Sequence, residues 1–186
     1  MQWDPSVQYL RTDLLNDDFE SGSAGRWSSL TGGWSVVTDG NSQKLKQTGN
    51  AAGLTTAGSA SWSNYRMISD VKIASSGSGG GFANLNFRLK DANNKYFVYL
   101  SDTQGIAIKK MVAGVQTELA SKAFAIGINT TYRAEVVVSG NQIELYIDGD
   151  LQLSAADGGV SFVKGKVGLE TYQATVLFDN VQVIEL

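Results

Sequence analysis

The chain has 186 residues, 42% hydrophobic and 18% charged, with a formal net charge of −3; it is apolar enough to bury a core, and its length fits one domain. With His 0 and Cys 0, imidazole-based triads, His-built zinc sites and a disulfide framework are excluded. No Lys/Arg run offers a footprint for a phosphate backbone, and no stretch nears the roughly 20 apolar residues of a membrane-spanning helix, so neither nucleic acid nor a membrane is an expected partner.

Residues 1–16 differ from the rest. Asp4-Pro5-Ser6 reads as the start of a helical turn, with Val7, Leu10 and Leu14 at helical spacing. The segment is expected to be a leader packed on the domain, or the remnant of an upstream one. From residue 17 to 186 strand patterning takes over, and a single domain is expected there. Trp34–Val37 is followed by the turn Thr38-Asp39-Gly40-Asn41. Met67–Ile73 alternates, and the Gly/Ser run Ser75–Gly81 reads as a turn between strands. In Phe82–Lys90, Leu85, Phe87 and Leu89 are expected on one side, and Asn84, Asn86 and Arg88 on the other. Asp91-Ala92-Asn93-Asn94 is a turn, after which Tyr96, Val98 and Leu100 alternate with Phe97 and Tyr99. Pairing of the apolar sides places Asn84, Asn86 and Arg88 on one surface with Phe97 and Tyr99. Further strands are expected over 105–112, 116–120, 132–138, 143–147, 151–154, 167–171 and 176–184. Gly 21 against Pro 1, with short strands at regular spacing, indicates an all-β antiparallel sandwich.

An ordered set of residues carries a resemblance over positions 16–186: Asp18-Phe19-Glu20, Trp27, Gly33-Trp34-Ser35-Val36, Trp62-Ser63-Asn64-Tyr65, Asn86-Phe87-Arg88, Gly140-Asn141, Asp148-Gly149, Gly165-Lys166-Val167-Gly168-Leu169 and Phe178-Asp179-Asn180-Val181. The chain resembles the concanavalin A-like lectin/glucanase family in its laminin-G-like form. It is similar to the carbohydrate-binding modules attached to bacterial polysaccharide lyases and glycoside hydrolases. The resemblance implies a two-sheet jelly roll whose concave sheet receives a polysaccharide or oligosaccharide. It also implies secretion and attachment to a catalytic domain.

Sugars offer C–H faces and hydroxyl rims, so their sites combine flat aromatics with amides, carboxylates or guanidinium groups. Asn84, Asn86, Arg88, Phe97 and Tyr99 supply that set, with Lys109, Glu170 and Tyr172 as extensions. Trp62, Tyr65 and Arg66 form a rival patch. Trp27 and Trp34 are expected in the core or sealing an edge. Related sandwich modules often hold a structural calcium, and Asp18, Glu20 and Asp179 are the expected carboxylate ligands, with Asp39 a further candidate.

Glycosidases of this fold carry a Glu-x-Asp-x-x-Glu string that brings two carboxyls together on a strand. The string is absent here: Glu135 has no second acid two residues away, and Asp148 belongs to an Asp-Gly turn. Lyases of the fold generally rely on His with Tyr. A noncatalytic binding module is the leading expectation. A structural or adhesive sandwich stays open as an alternative, as does a polysaccharide lyase or glycoside hydrolase of the same fold, with Arg88, Tyr99 and Lys109 as the cluster a lyase would use.

Overall fold

A computed structural model describes residues 12–47, 51–159 and 162–186. Its strands, in chain order, are β1 Asp13–Asp17, β2 Ser28–Thr31, β3 Trp34–Asp39, β4 Ser42–Gln47 and β5 Gly53–Ala57. They continue with β6 Tyr65–Ser76, β7 Phe82–Asp91, β8 Asn94–Ser101, β9 Gly105–Val112 and β10 Val115–Lys122. The last are β11 Thr131–Ser139, β12 Gln142–Ile147, β13 Asp150–Ala156, β14 Lys166–Tyr172 and β15 Ala174–Glu185. All pairings are antiparallel. One sheet runs β13-β12-β11-β6-β15-β4-β3, with β1 also on β15; the other runs β10-β9-β8-β7-β14-β5-β2.

The expected jelly-roll sandwich is therefore the architecture found. The inner faces meet in one core that includes Leu45, Tyr65, Met67, Phe87, Tyr96, Val136, Leu169 and Phe178. Each comes from the apolar half of an alternating strand, which is why the two sheets bury one face each. Two boundaries differ from expectation. Strand β1 starts at Asp13 and pairs with β15 from Asp13↔Ile184 to Asp17↔Val181, so the sheet begins inside the expected leader. Leu14 is a strand residue; the rest of the expected helical turn, at Val7 and Leu10, lies outside the described residues.

A β-bulge in β7 overturns part of the expected alternation. Arg88 has φ 47, and the β7–β14 register slips between Lys166↔Leu89 and Gly168↔Asn86. Two residues, Phe87 and Arg88, thus oppose Val167 alone, and the side-chain alternation reverses beyond them. Leu89 comes out onto the outer face, where its Cδ1 would lie 3.2 Å from a Cβ placed on Gly168. Arg88 turns to one end of the sandwich and is 2% exposed. Its Nε donates to Ser63 O (3.0 Å), its Nη1 to Gly140 O (2.8 Å) and its Nη2 to Asn64 Oδ1 (3.2 Å). Its backbone N–H donates to the Tyr65 hydroxyl at 2.8 Å. Arg88 is thus a clamp on the connecting loops and is not part of the expected ligand surface. Arg88→Ala strands buried acceptors that a charged donor satisfied. The expected loss is about 3 kcal/mol, a fall of roughly 6–12 °C in thermal denaturation.

Candidate functional site

Strand pairing on the β7–β8–β9–β14 sheet gathers seven of the eight expected ligand residues on its outer face. Asn84 lies opposite Tyr99 and Asn86 opposite Phe97. Glu170 lies opposite Asn84, and Tyr172 opposite Phe82. Lys109 lies opposite Phe97. A cleft of about 180 Å³ opens here, with Phe82, Asn84, Lys95, Tyr99, Lys109 and Glu170 in its walls.

Phe82, Lys95 and Met111 are members of this face that sequence reasoning missed. Each stands two positions from an expected residue on its own strand, so extending the alternation by one step finds them. Gln104 and Gln116 also line the cleft. Gln104 comes from a turn and Gln116 from a strand whose register shifts, so neither carries a sequence signal.

The charges in the cleft are paired. Lys95 Nζ donates to Glu170 Oε2 at 2.7 Å, and Asn84 Nδ2 donates to the same oxygen at 3.0 Å. Lys109 Nζ stands 4.3 Å from the Tyr99 ring centroid and 3.9 Å from Glu118 Oε2. Lys95 Nζ lies 5.6 Å from the Phe97 ring. The ammonium groups sit over the rings through cation–π attraction. As a result Phe97 and Tyr99 are only 2% and 8% exposed. They are the floor under the lysines and do not offer the open stacking faces expected of them. The exposed aromatic on this face is Tyr172, 42% exposed.

The floor also holds unused hydrogen-bonding capacity. Asn84 Oδ1 and both Asn86 amide atoms are buried without a partner. An unpaired buried amide is costly unless something meets it.

The expected calcium ligands do not converge. Strand β1 ends at Asp17 and Phe19 has φ 58, so Asp18 and Glu20 lie in a turn where strand alternation no longer applies. Asp18 Oδ1 accepts the Glu20 N–H, and Glu20 Oε1 accepts the Gln43 N–H at 2.9 Å. Asp179 Oδ2 accepts the Ser42 hydroxyl at 2.6 Å, and its Oδ1 accepts the Asn180 N–H. Glu20 and Asp179 thus both hold the start of β4. Among the described residues no cluster of three His, Cys, Asp or Glu side chains forms a metal site, and these acids do not fit one. Asp39 has cations of its own, Lys44 and Lys72, at 2.8 and 2.5 Å.

The rival patch is not one surface. Tyr65 is core, Arg66 pairs with Glu135, and Trp62 packs where a Cβ on Gly58 would meet its ring at 2.0 Å. Trp27 is buried with its Nε1 donating to Asp17 Oδ2 at 3.0 Å. Trp34 is half-buried, its ring 6.1 Å from Phe178.

The model of the 3-keto-alpha-glucoside-1,2-lyase-like domain matches residues 12–184. The chain belongs to this family. Among curated family relatives, it is 30% identical to a levanase of Bacillus subtilis (strain 168) over 83% of its own length. It is 37% identical to an extracellular exo-alpha-L-arabinofuranosidase of Streptomyces chartreusis over 73% of its length. The matched region spans only 22% and 16% of those two proteins. Among solved structures, the carbohydrate binding module CBM66 from Bacillus subtilis superimposes with TM-score 0.74 and 26% identity, covering 84% of this chain and 93% of that one.

Two outcomes follow from the site and its surroundings. Replacing the unpaired amide of Asn86 with an apolar group of similar shape in Asn86→Leu removes a desolvation cost. The free protein is expected to gain about 1 kcal/mol, a rise of roughly 2–4 °C in melting temperature; a fall indicates a partner for the amide. Hydrogen bonds from Lys44 and Lys72 hold the Asp39 carboxyl at about 2, below its ordinary 3.8. A depressed carboxylate stabilises the fold above its unfolded value and loses that effect as pH falls through the folded one. Asp39→Asn is therefore expected to cost about 0.5–1 kcal/mol in denaturant melts near neutral pH. The difference should fade between about pH 4 and pH 2.

Proposed function

We propose that this domain is a noncatalytic module that binds a neutral polysaccharide through the Asn84–Lys95–Glu170 cleft. The observation that carries the reading is the combination there of paired charges with the unpaired Oδ1 of Asn84. A cleft whose two lysines each face an acid, with the Asn84 amide and two glutamines in its lining, suits hydroxyl groups better than carboxylate or sulfate. Anionic polymers would need a free cation, and both cleft lysines already face an acid. Lys72, a further candidate for such polymers, lies on the other sheet, bonded to Asp39.

The names of the relatives support a narrower ligand class. Levan is a polymer of fructofuranose, and the second relative is named for arabinofuranose. We take neutral furanose polysaccharides as the ligand class, with levan and arabinan as the probes. The size of the match within those relatives supports a role as one part of a larger extracellular enzyme. Such a part holds the catalytic domain near its polymer and raises the effective substrate concentration.

The family description also names lyase chemistry, which favours a second reading as an enzyme. Against it, the cleft walls contain a single carboxylate, Glu170, already held by Lys95 and Asn84. Double-displacement glycoside hydrolysis needs two carboxyls.

The test is affinity electrophoresis and calorimetry with levan and arabinan, alongside assays for reducing and unsaturated ends. Binding without product is expected, and Asn84→Ala should weaken it about tenfold while the melting curve stays cooperative. Release of sugar product moves the assignment to an enzyme. No binding to any neutral polysaccharide moves it to a structural or adhesive sandwich.

A further inference from the structure

The Gly/Ser run at residues 75–81, read from sequence as a simple turn, has a more particular construction. It forms one wall of a second cleft, about 130 Å³, beside the first. The two clefts share Phe82, Tyr99 and Gln104, so they adjoin.

The wall is pinned. Asp102 Oδ1 accepts the Gly81 N–H at 2.8 Å, and its other oxygen accepts the Ser76 hydroxyl. The Gly77 N–H donates to Gln173 O at 2.8 Å, and the Gly80 N–H to Gly77 O at 2.9 Å. A Cβ at Gly80, where φ is +82, would stand 2.4 Å from Thr103 Oγ1; one at Gly81 would stand 2.6 Å from Gln173 O. Glycine is thus required for the loop to approach so closely, and the loop puts bare backbone beside an aromatic ledge. The Phe82 ring lies 4.9 Å from Tyr99 and 5.6 Å from Tyr172, with an interplanar angle of 30° to Tyr172. Tyr99 is covered by Lys109, which leaves Phe82 and Tyr172 as the open part of the ledge.

We infer that this ledge is a second saccharide subsite, taking the next sugar unit of the chain whose first unit occupies the Asn84–Glu170 cleft. The inference rests on the proposed carbohydrate-binding reading. Three features support it. The clefts adjoin, with three lining residues in common. The exposed aromatic on this face stands at the second cleft, whereas the polar floor lies in the first. The spacing also fits: Phe82 and Tyr172 are one alternation step from Asn84 and Glu170, about 7 Å along a strand, comparable to one sugar unit. A polar first subsite beside an aromatic second one would accept the hydroxyl rim of one unit and the C–H face of its neighbour.

The test is calorimetric titration with fructose, levanbiose and levantriose, and with arabinose, arabinobiose and arabinotriose. In the wild type, affinity is expected to rise about tenfold or more from one unit to two. Tyr172→Ala should abolish that rise, so that one- and two-unit ligands bind alike, and Tyr172→Phe should retain it. Gly79→Leu provides a second test that does not touch the ledge. Gly79 needs no positive φ, and a Cβ there would meet nothing nearer than Gln173 Oε1 at 4.0 Å. Its leucine would fill the second cleft and should also erase the rise. A wild type that binds one, two and three units equally overturns the second subsite and leaves the binding reading standing, as does a rise that survives both variants. A wild type that binds none of these sugars, nor either polymer, overturns both.

Discussion

The bulge at Arg88 is the constraint on which the outer face of the β7–β8–β9–β14 sheet depends. One residue in the left-handed region makes two residues oppose one, and every side chain beyond it changes sides. The guanidinium leaves the outer face and enters a buried end of the sandwich. There it satisfies the carbonyls of Ser63, Gly140 and Phe162 and the amide oxygen of Asn64 with charge-assisted bonds. Leu89 takes the vacated side and packs beside Gly168. Without the bulge the outer face would carry an unpaired guanidinium, and the loops at one end would lose their common donor.

The electrostatic character of the face follows from that removal. The remaining cleft cations, Lys95 and Lys109, each have an acidic neighbour. Lys95 is nearly wholly buried, which a lone ammonium would not tolerate; Glu170 at 2.7 Å makes it tenable. Both lysines also lie over aromatic rings, their long stems covering apolar surface. The rings that strand alternation places on the outer face are therefore roofed by side chains from the same face. The exposed ring of this face is Tyr172, beside the glycine loop.

Sandwiches of this kind carry both binding and catalytic sites, so the fold alone does not choose between them. The family description names a lyase, whereas the 26% identical solved structure is a binding module. What separates the readings is local. A carboxylate held by a buried lysine and an asparagine amide is poorly placed to exchange protons with a substrate, but well placed to orient hydroxyl groups. Acids elsewhere are committed to the fold as well: Asp17 to the Trp27 indole and Glu20 to the start of β4, while Asp157 accepts from Tyr96 and Lys110.

By itself the sequence determined the sheet class, eleven of the fifteen described strands, and the placing of seven of eight named residues on one outer face of the sheet. These follow from period-two alternation and from turns marked by Gly, Asn and Asp, which are local properties of the chain. The short, polar strands β1, β2, β4 and β5 escaped because little in them alternates. Tertiary structure alone decided where Arg88 points, that Phe97 and Tyr99 are roofed, and that Asp18, Glu20 and Asp179 are taken up by backbone and hydroxyl donors. Each of these turns on a left-handed residue or on a neighbouring side chain whose position only the folded sheet sets. An alternating pattern encodes which side of a strand a residue takes, but neither where the strand breaks step nor what lies across from it.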